Sequence, residues 1–293
     1  MNKKHKSISG RVFDSFNVLL MLLLIVAFLY PFWEQLVLSF SSPAAANRSG
    51  LKLWPSEFNI TSYSQVFKSN QIWIGFFNTA FRTVIGTALT VLVTFCGAFV
   101  LCKKELPGRS IVLAAILFTM FFSGGMIPSY LLMRNMGLLG NRFALILPVT
   151  TSAWNLIMTR NFIASLPDSL EEAALVDGAR PFTIVFKVFF PLSMPIISVL
   201  TLWSAVGHWN AWFDAMLYNR GRDLMVLQLY LRTLLIDQAN TGGGGVLSAS
   251  TAATTPETVK AATIVVSILP IVVLYPFLQK YFVKGVMVGA VKG

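Results

Sequence analysis

Within its apolar stretches this sequence sets two groups of side chains that could do more than pack. The first group is Trp203, Ser204, His208, Trp209, Asn210 and Trp212, with Ser152, Trp154 and Asn155 earlier in the chain. Polar groups are costly in lipid and usually face a protein interior or a water-filled path. Aromatic faces stack on the C–H surfaces of sugars, while amides and hydroxyls bond sugar hydroxyls, so this set suits recognition of a sugar. Asn155, Trp203, His208, Trp209, Asn210 and Trp212 are therefore candidates for a substrate path. Plainer uses compete with that role: tryptophans gather at membrane interfaces, and polar residues join helices to one another.

The second group lies in SLEEAALVDGARPFTIVFKVFFP, residues 169–191. With Asp168 just before it, four of the twelve acidic residues fall within ten positions. The spacing predicts a short surface helix. Ser165 or Ser169 can cap its start, and Ser169-x-x-Glu172 has the form of a capping box. Acids in the first turn suit the positive end of the helix dipole. Ala173 and Ala174 offer no bulk, so another surface can approach closely. Asp177-Gly178 ends the helix, since glycine suits the left-handed stop.

None of this is catalytic chemistry. No metal-ligand cluster, P-loop or nucleophile elbow is present, and two histidines, His5 and His208, do not make a His-based metal site. No enzyme activity and no cofactor bound by this chain are expected.

The elements that must position these groups follow from composition. The 293 residues are 55% hydrophobic and 12% charged, with a mean hydropathy of +0.69. Soluble domains carry about 25% charged residues, so lipid is the expected solvent. The net charge of +11 does not mark a nucleic-acid binder, because Lys and Arg are scattered between apolar runs. Cys96 and Cys102 lie in one run on different helix faces and read as unbridged packing residues.

Six runs match the roughly 17–25 residues that a spanning helix needs: Ser15–Trp33, Thr83–Cys102, Ser110–Met133, Phe143–Thr159, Val188–Phe213 and Ala261–Gln279. None contains Asp, Glu, Lys or Arg. The first is too long for a signal-peptide core and is read as a retained anchor. Thirteen of the 23 Lys and Arg fall in segments 1–14, 103–109, 160–187 and 280–293, against nine in the longer intervening segments, with Arg82 at the edge of the second run. By the positive-inside rule both termini and the acidic loop are cytoplasmic. The expected organisation is a cytoplasmic tail at 1–14, a transmembrane domain at 15–279 holding the cytoplasmic loop 160–187, and a second tail at 280–293. The tract TGGGGVLSASTAATT reads as an external flexible linker.

Glu172-Ala173-Ala174, three residues, Gly178, nine residues and then Val188-x-Phe190-Pro191 resembles the EAA loop of ABC importer permeases. Asn78-Thr79, Leu106-Pro107-Gly108-Arg109, Gly124-Gly125-Met126-Ile127-Pro128 and Asn135-Met136-Gly137-Leu138-Leu139 extend the likeness. Ile146-Leu147-Pro148, His208-Trp209-Asn210, Tyr275-Pro276-Phe277 and Val291-Lys292-Gly293 complete it. Together they resemble the second permease of the maltose-type carbohydrate importers, in the subgroup associated with oligosaccharides cut from complex polysaccharides.

The resemblance implies an all-α membrane protein of six transmembrane helices with the type I ABC importer fold, multi-pass in the bacterial cytoplasmic (inner) membrane. It implies a homologous second permease, two cytoplasmic ATPase subunits that carry ATP and Mg, an extracytoplasmic sugar-binding protein and an oligosaccharide substrate, but no nucleic acid. Glu171, Glu172, Ala173, Ala174, Asp177, Gly178 and Ala179 would form the joint to the ATPase, with the acids meeting polar or basic groups there. The tail Val291, Lys292 and Gly293 would reach into the ATPase dimer. An ABC permease for another solute is the nearest alternative. A secondary transporter would be favoured by inverted repeats or buried charge pairs, and the sequence displays neither. A membrane scaffold would need no polar-lined pore.

Overall fold

The computed structural model describes residues 8–219, 221–241 and 254–290. Among them the chain is helical, and its one extended contact is the isolated bridge between Ser41 and Phe58. Two compact units emerge: Met1–Ser69 with Thr233–Val266, and Asn70–Arg232 with Ser267–Gly293.

The first unit holds α1 (Ile8–Ser39), α2 (Pro43–Ala46) and α3 (Thr61–Lys68). Most apolar side chains of α1 from Val12 to Trp33 stand exposed, which in this protein means exposed to lipid or to another chain. At its far end Trp33 Nε1 donates to the carbonyl of Leu53 at 2.9 Å, and the Ser39 and Tyr63 hydroxyls meet at 2.8 Å.

The second unit is organised by α4 (Asn70–Cys102), followed by α5 (Arg109–Phe121), α6 (Met126–Asn135), two 3-10 turns (Arg142–Leu145 and Leu147–Val149), α7 (Ala153–Ile163) and α8 (Ser169–Val176). Then come α9 (Pro181–Thr183), a π-helical stretch (Ile184–Phe189), α10 (Phe190–Leu192), α11 (Met194–Asn210) and α12 (Phe213–Tyr218). Helices α13 (Leu227–Thr241) and α14 (Pro256–Ala290) contribute residues to both units.

One core joins Phe95, Ala98 and Phe99 of α4 to Ile163, Ile184, Phe189, Ile197 and Leu200. Its phenyl rings meet edge to face, Phe95 on Phe190 and Phe99 on Phe189, each pair 5.1 Å between centroids. That geometry adds about 0.5–1.5 kcal/mol per pair beyond the area buried. A second core gathers Met133, Leu145, Ala215, Tyr218 and Val226. Asn78 and Thr79 tie the segment before α13 to α4: Asn78 Nδ2 donates to the carbonyls of Asp223 (2.8 Å) and Met225 (3.0 Å), and Thr79 Oγ1 accepts from Leu227 N–H at 2.9 Å.

Each of the six apolar runs lies in helical structure, but not all as straight spans. Among the described residues, three helices are long and apolar enough to cross a membrane, or up to five if each bent pair counts as one span. The third run bends by 116° between α5 and α6 at Phe122–Gly125. The fifth bends by 81° at Ser193, between Pro191 and Pro195; each proline lacks an N–H and cannot simply extend the turn before it. The fourth run, expected as a span at Phe143–Thr159, is instead two 3-10 turns and the 11-residue α7. Pro148 interrupts it, and the caps of Asn141 (onto Phe143 N–H, 3.0 Å) and Ser152 (onto Asn155 N–H, 3.5 Å) start new elements. The second run is the tail of a longer helix: α4 begins at Asn70, so Arg82 is interior to it.

Candidate functional site

Where α11 meets α4, α7 and α12, a cavity of about 590 Å³ opens. Asn155, Trp203, His208, Asn210 and Trp212 line it, joined by Thr90, Ser204 and the charged pair Arg82 and Asp214. Five of the six path candidates are thus neighbours. Trp209 is elsewhere: it is buried, its indole N–H donates to the carbonyl of Ser267 at 3.0 Å, and Phe76 meets its ring edge-on at 5.8 Å. Consecutive helical residues point about 100° apart, so His208 and Trp209 face different neighbours. Trp203 is 44% exposed and offers a free aromatic face. The Thr90 hydroxyl is buried and has no partner among the described residues. A larger groove of about 750 Å³ beside α4 and α11 is walled mainly by apolar groups such as Val84, Leu92, Phe186 and Met194.

His208 sits where it does because residue 86 is glycine. A Cβ built on Gly86 would lie 2.4 Å from His208 Nε2. In an open helix Gly→Ala gains about 0.5–1 kcal/mol, but overpacking a buried site costs about 1–3 kcal/mol, and at 2.4 Å the clash wins. Gly86→Ala is therefore expected to lower the thermal midpoint in detergent, and the Gly86→Ala/His208→Ala double variant to recover it. Equal midpoints for the wild type and the single variant would contradict this placement.

The charges at the cavity wall are locked together. Arg82, only 1% exposed, donates from Nη1 to Asp214 Oδ1 (3.2 Å) and the Ala211 carbonyl (3.2 Å). From Nη2 it donates to Asp214 Oδ2 (2.5 Å) and the Leu145 carbonyl (3.1 Å). One guanidinium thus fixes the helix break after Asn210, the 3-10 turn and α12 against α4. Sequence reading set Arg82 at a span edge and saw no buried charge pair; the structure corrects both points. The missed signal was an arginine one position outside an uncharged run, with an aspartate just past the end of another.

The surface helix is α8, and its start differs from the expected capping box. Asp168 precedes it in helical conformation with no side-chain cap, and Ser169 is already its first residue. Ser165 instead bonds back to the Phe162 carbonyl at 2.6 Å. Glu171 pairs with Lys103, whose ammonium also lies 4.4 Å from the centre of the Phe99 ring. This acid thus anchors α8 to the end of α4, while Glu172 and Asp177 face outward. The helix closes as expected: Gly178 has φ +74°, its N–H reaches the Leu175 carbonyl at 3.0 Å, and Ala179 N–H reaches the Ala174 carbonyl at 2.9 Å. These are the two bonds of a Schellman stop, and Ala174 and Ala179 both pack on the first core. Ala173 is exposed, as are Val176 (88%) and Phe182 (80%). The result is a firmly held platform that exposes Ala173 and Val176 beside Glu172 and Asp177, with Phe182 of α9 nearby in sequence. Val291, Lys292 and Gly293 lie outside the described residues, as does most of the glycine-rich tract.

Comparison with known proteins matches residues 110–288 to the family described as "Binding-protein-dependent transport system inner membrane component". The chain is 38% identical to Protein LplC of Bacillus subtilis (strain 168), over 99% of this chain and 98% of that one. It is 36% identical to the Polygalacturonan/rhamnogalacturonan transport system permease protein YtcP of the same organism, over 97% and 99%. In structure it is similar to a chain of a bacterial ABC transporter involved in the import of the acidic polysaccharide alginate, with TM-score 0.89, 35% identity and coverage of 96% and 100%. Full-length matches of this kind leave one assignment: the chain belongs to the binding-protein-dependent transport system inner membrane component family, as a multi-pass, non-enzymatic permease subunit of the ABC importers.

Proposed function

We propose that this chain forms half of the path by which an oligosaccharide crosses the membrane, and that α8 is the joint through which ATP hydrolysis drives it. The observation that carries the reading is the exposed surface at α8 and the turn after it: Ala173 and Val176 on a helix held by the Lys103–Glu171 pair and the Schellman stop at Gly178, with Phe182 of α9 exposed just beyond. A soluble surface gains nothing from a bare valine and phenylalanine, whereas a partner's cleft does.

In this reading two cytoplasmic ATPase subunits hold ATP and Mg and seat α8. A homologous second permease completes the pore, and an external sugar-binding protein delivers substrate. Both termini and α8 are cytoplasmic, in line with the distribution of Lys and Arg. The sugar-importing relatives and the aromatic, amide and hydroxyl lining of the cavity support an oligosaccharide as cargo. The Arg82–Asp214 pair does not argue for an ion-coupled carrier, because its bonds all knit neighbouring elements together.

Cross-linking tests the joint. A Val176→Cys variant lacking Cys96 and Cys102 should cross-link to a co-expressed ATPase subunit, and binding protein loaded with oligosaccharide should raise ATP hydrolysis by the purified complex. A position-176 label that stays freely reactive to water-soluble maleimide in the assembled complex would defeat the proposal.

A further inference from the structure

Between α1 and α3 the chain turns through residues 40–60, all within the first unit. The base of this loop is closed. Ser42 N–H donates to the Glu57 carbonyl at 3.1 Å, Ser42 Oγ donates to Glu57 Oε2 at 2.6 Å, and Asn59 N–H donates to the Phe40 carbonyl at 2.8 Å. Glu57 takes φ 61°, a left-handed conformation that a residue with a side chain keeps where its surroundings fix it. Phe40 stacks on Phe58 with ring centres 5.4 Å apart. The loop therefore has a built frame.

On that frame the usual arrangement of a water-facing loop is reversed. Leu51, Leu53 and Trp54 are exposed by 79%, 64% and 76%. Lys52, between them, turns its ammonium back onto the Ala46 carbonyl. A loop in water hides its leucines and releases its lysine, and this one does the opposite. It is also tied to α1: Lys52 N–H donates to the Tyr30 hydroxyl at 3.3 Å, and the Trp33 indole N–H donates to the Leu53 carbonyl at 2.9 Å. Helix α1 runs on to Ser39, six residues or about 9 Å past Trp33. The loop thus folds back to the level at which the uncharged run of α1 ends. Residues 15–29 of that run are exposed on every face of the helix. A second protein chain covers one face of a helix, so lipid meets the rest of a run this long and apolar.

We infer that Leu51, Leu53 and Trp54 form an interfacial anchor, inserted among the lipid headgroups at the far end of α1. The partner is the phospholipid leaflet itself, the outer one in the proposed orientation. Indole suits this depth because its ring is apolar and its N–H can meet headgroup oxygens. The anchor fixes the height of a helix that its own chain grips near its end, where Val37, Leu38 and Ser39 are buried. A soluble protein docking from outside is the competing occupant. The two bonds to Tyr30 and Trp33 favour lipid, because they hold the three side chains beside the last lipid-facing turn of α1 and not at its outer tip.

The test attaches the fluorophore nitrobenzoxadiazole at L51C or L53C, one at a time, in a chain carrying C96A and C102A. Both ties to α1 use backbone atoms of the loop, so these changes leave them in place. The complete importer is reconstituted in vesicles of equal parts phosphatidylethanolamine and phosphatidylglycerol. A nitroxide high on the lipid acyl chain should quench both labels, and a nitroxide near the chain end should quench them less. Iodide on both sides of the membrane should leave them bright, and adding the sugar-binding protein should change neither result. Labels quenched by iodide and untouched by lipid nitroxides overturn the anchor and put the loop in water. Stronger quenching from the chain end overturns the interfacial depth. Labels shielded from iodide only after the binding protein is added give the surface to that protein, and labels shielded from every quencher give it to another chain of the complex; either result overturns the inference.

Discussion

Asp214→Ala should destabilise the chain by about 3–5 kcal/mol, since removing one partner of a buried pair strands the other charge. Asp214 is 22% exposed and Arg82 only 1%, so the reverse change, Arg82→Met, leaves a carboxylate that water can still reach and should cost less. The asymmetry identifies which charge bears the desolvation. Replacing both, Arg82→Met with Asp214→Leu, should recover part of the loss, because apolar groups of similar volume substitute well for a buried pair. Arg82 also ties down the carbonyls of Leu145 and Ala211, so recovery stays incomplete. Thermal unfolding of the four proteins in detergent gives the cycle directly. Purely additive losses, with no recovery in the double variant, would show that the pair does not act as a unit.

Ala173→Trp has the second large effect, on activity and not on folding. Ala173 is exposed on the outer face of α8, so an indole there meets nothing in this chain and the thermal midpoint should stay at the wild-type value. In the assembled importer it would occupy the space the ATPase cleft needs, and ATP-driven uptake should fall more than tenfold. Gly178→Val works by another route. No atom lies within 4 Å of the added Cβ, but the left-handed backbone at φ +74° penalises a β-branched residue by about 1–2 kcal/mol. It should loosen the end of α8 and weaken coupling with a modest loss of stability. Wild-type uptake in Ala173→Trp would place the ATPase joint elsewhere.

The parts of this protein legible in sequence are those set by local chemistry. The left-handed stop at Gly178 follows from an Asp-Gly pair after a helical alanine run, and the structure shows it bond by bond. The polar wall followed from counting amides, hydroxyls and indoles inside apolar runs. What stayed hidden depends on contacts far apart in the chain. Arg82 and Asp214 are 132 positions apart, and nothing in either neighbourhood announces the other. Ser169-x-x-Glu172 satisfied the pattern of a capping box, yet Lys103 claims the neighbouring Glu171 and the chain enters α8 already coiled at Asp168. The 116° and 81° bends were invisible to a count of apolar residues, although Gly124-Gly125, Pro191 and Pro195 stood at them. Trp209 was grouped with His208 by adjacency, where the turn of a helix separates them.

The central claim is that this chain moves an oligosaccharide inward using energy delivered by partner ATPases. Sealed proteoliposomes holding the complete complex test it most directly, with labelled oligosaccharide and binding protein outside. The account predicts accumulation that requires enclosed ATP and Mg, stops when the binding protein is withheld, and is insensitive to collapse of proton and sodium gradients. Accumulation that persists without the ATPase subunits and follows an imposed ion gradient would contradict it.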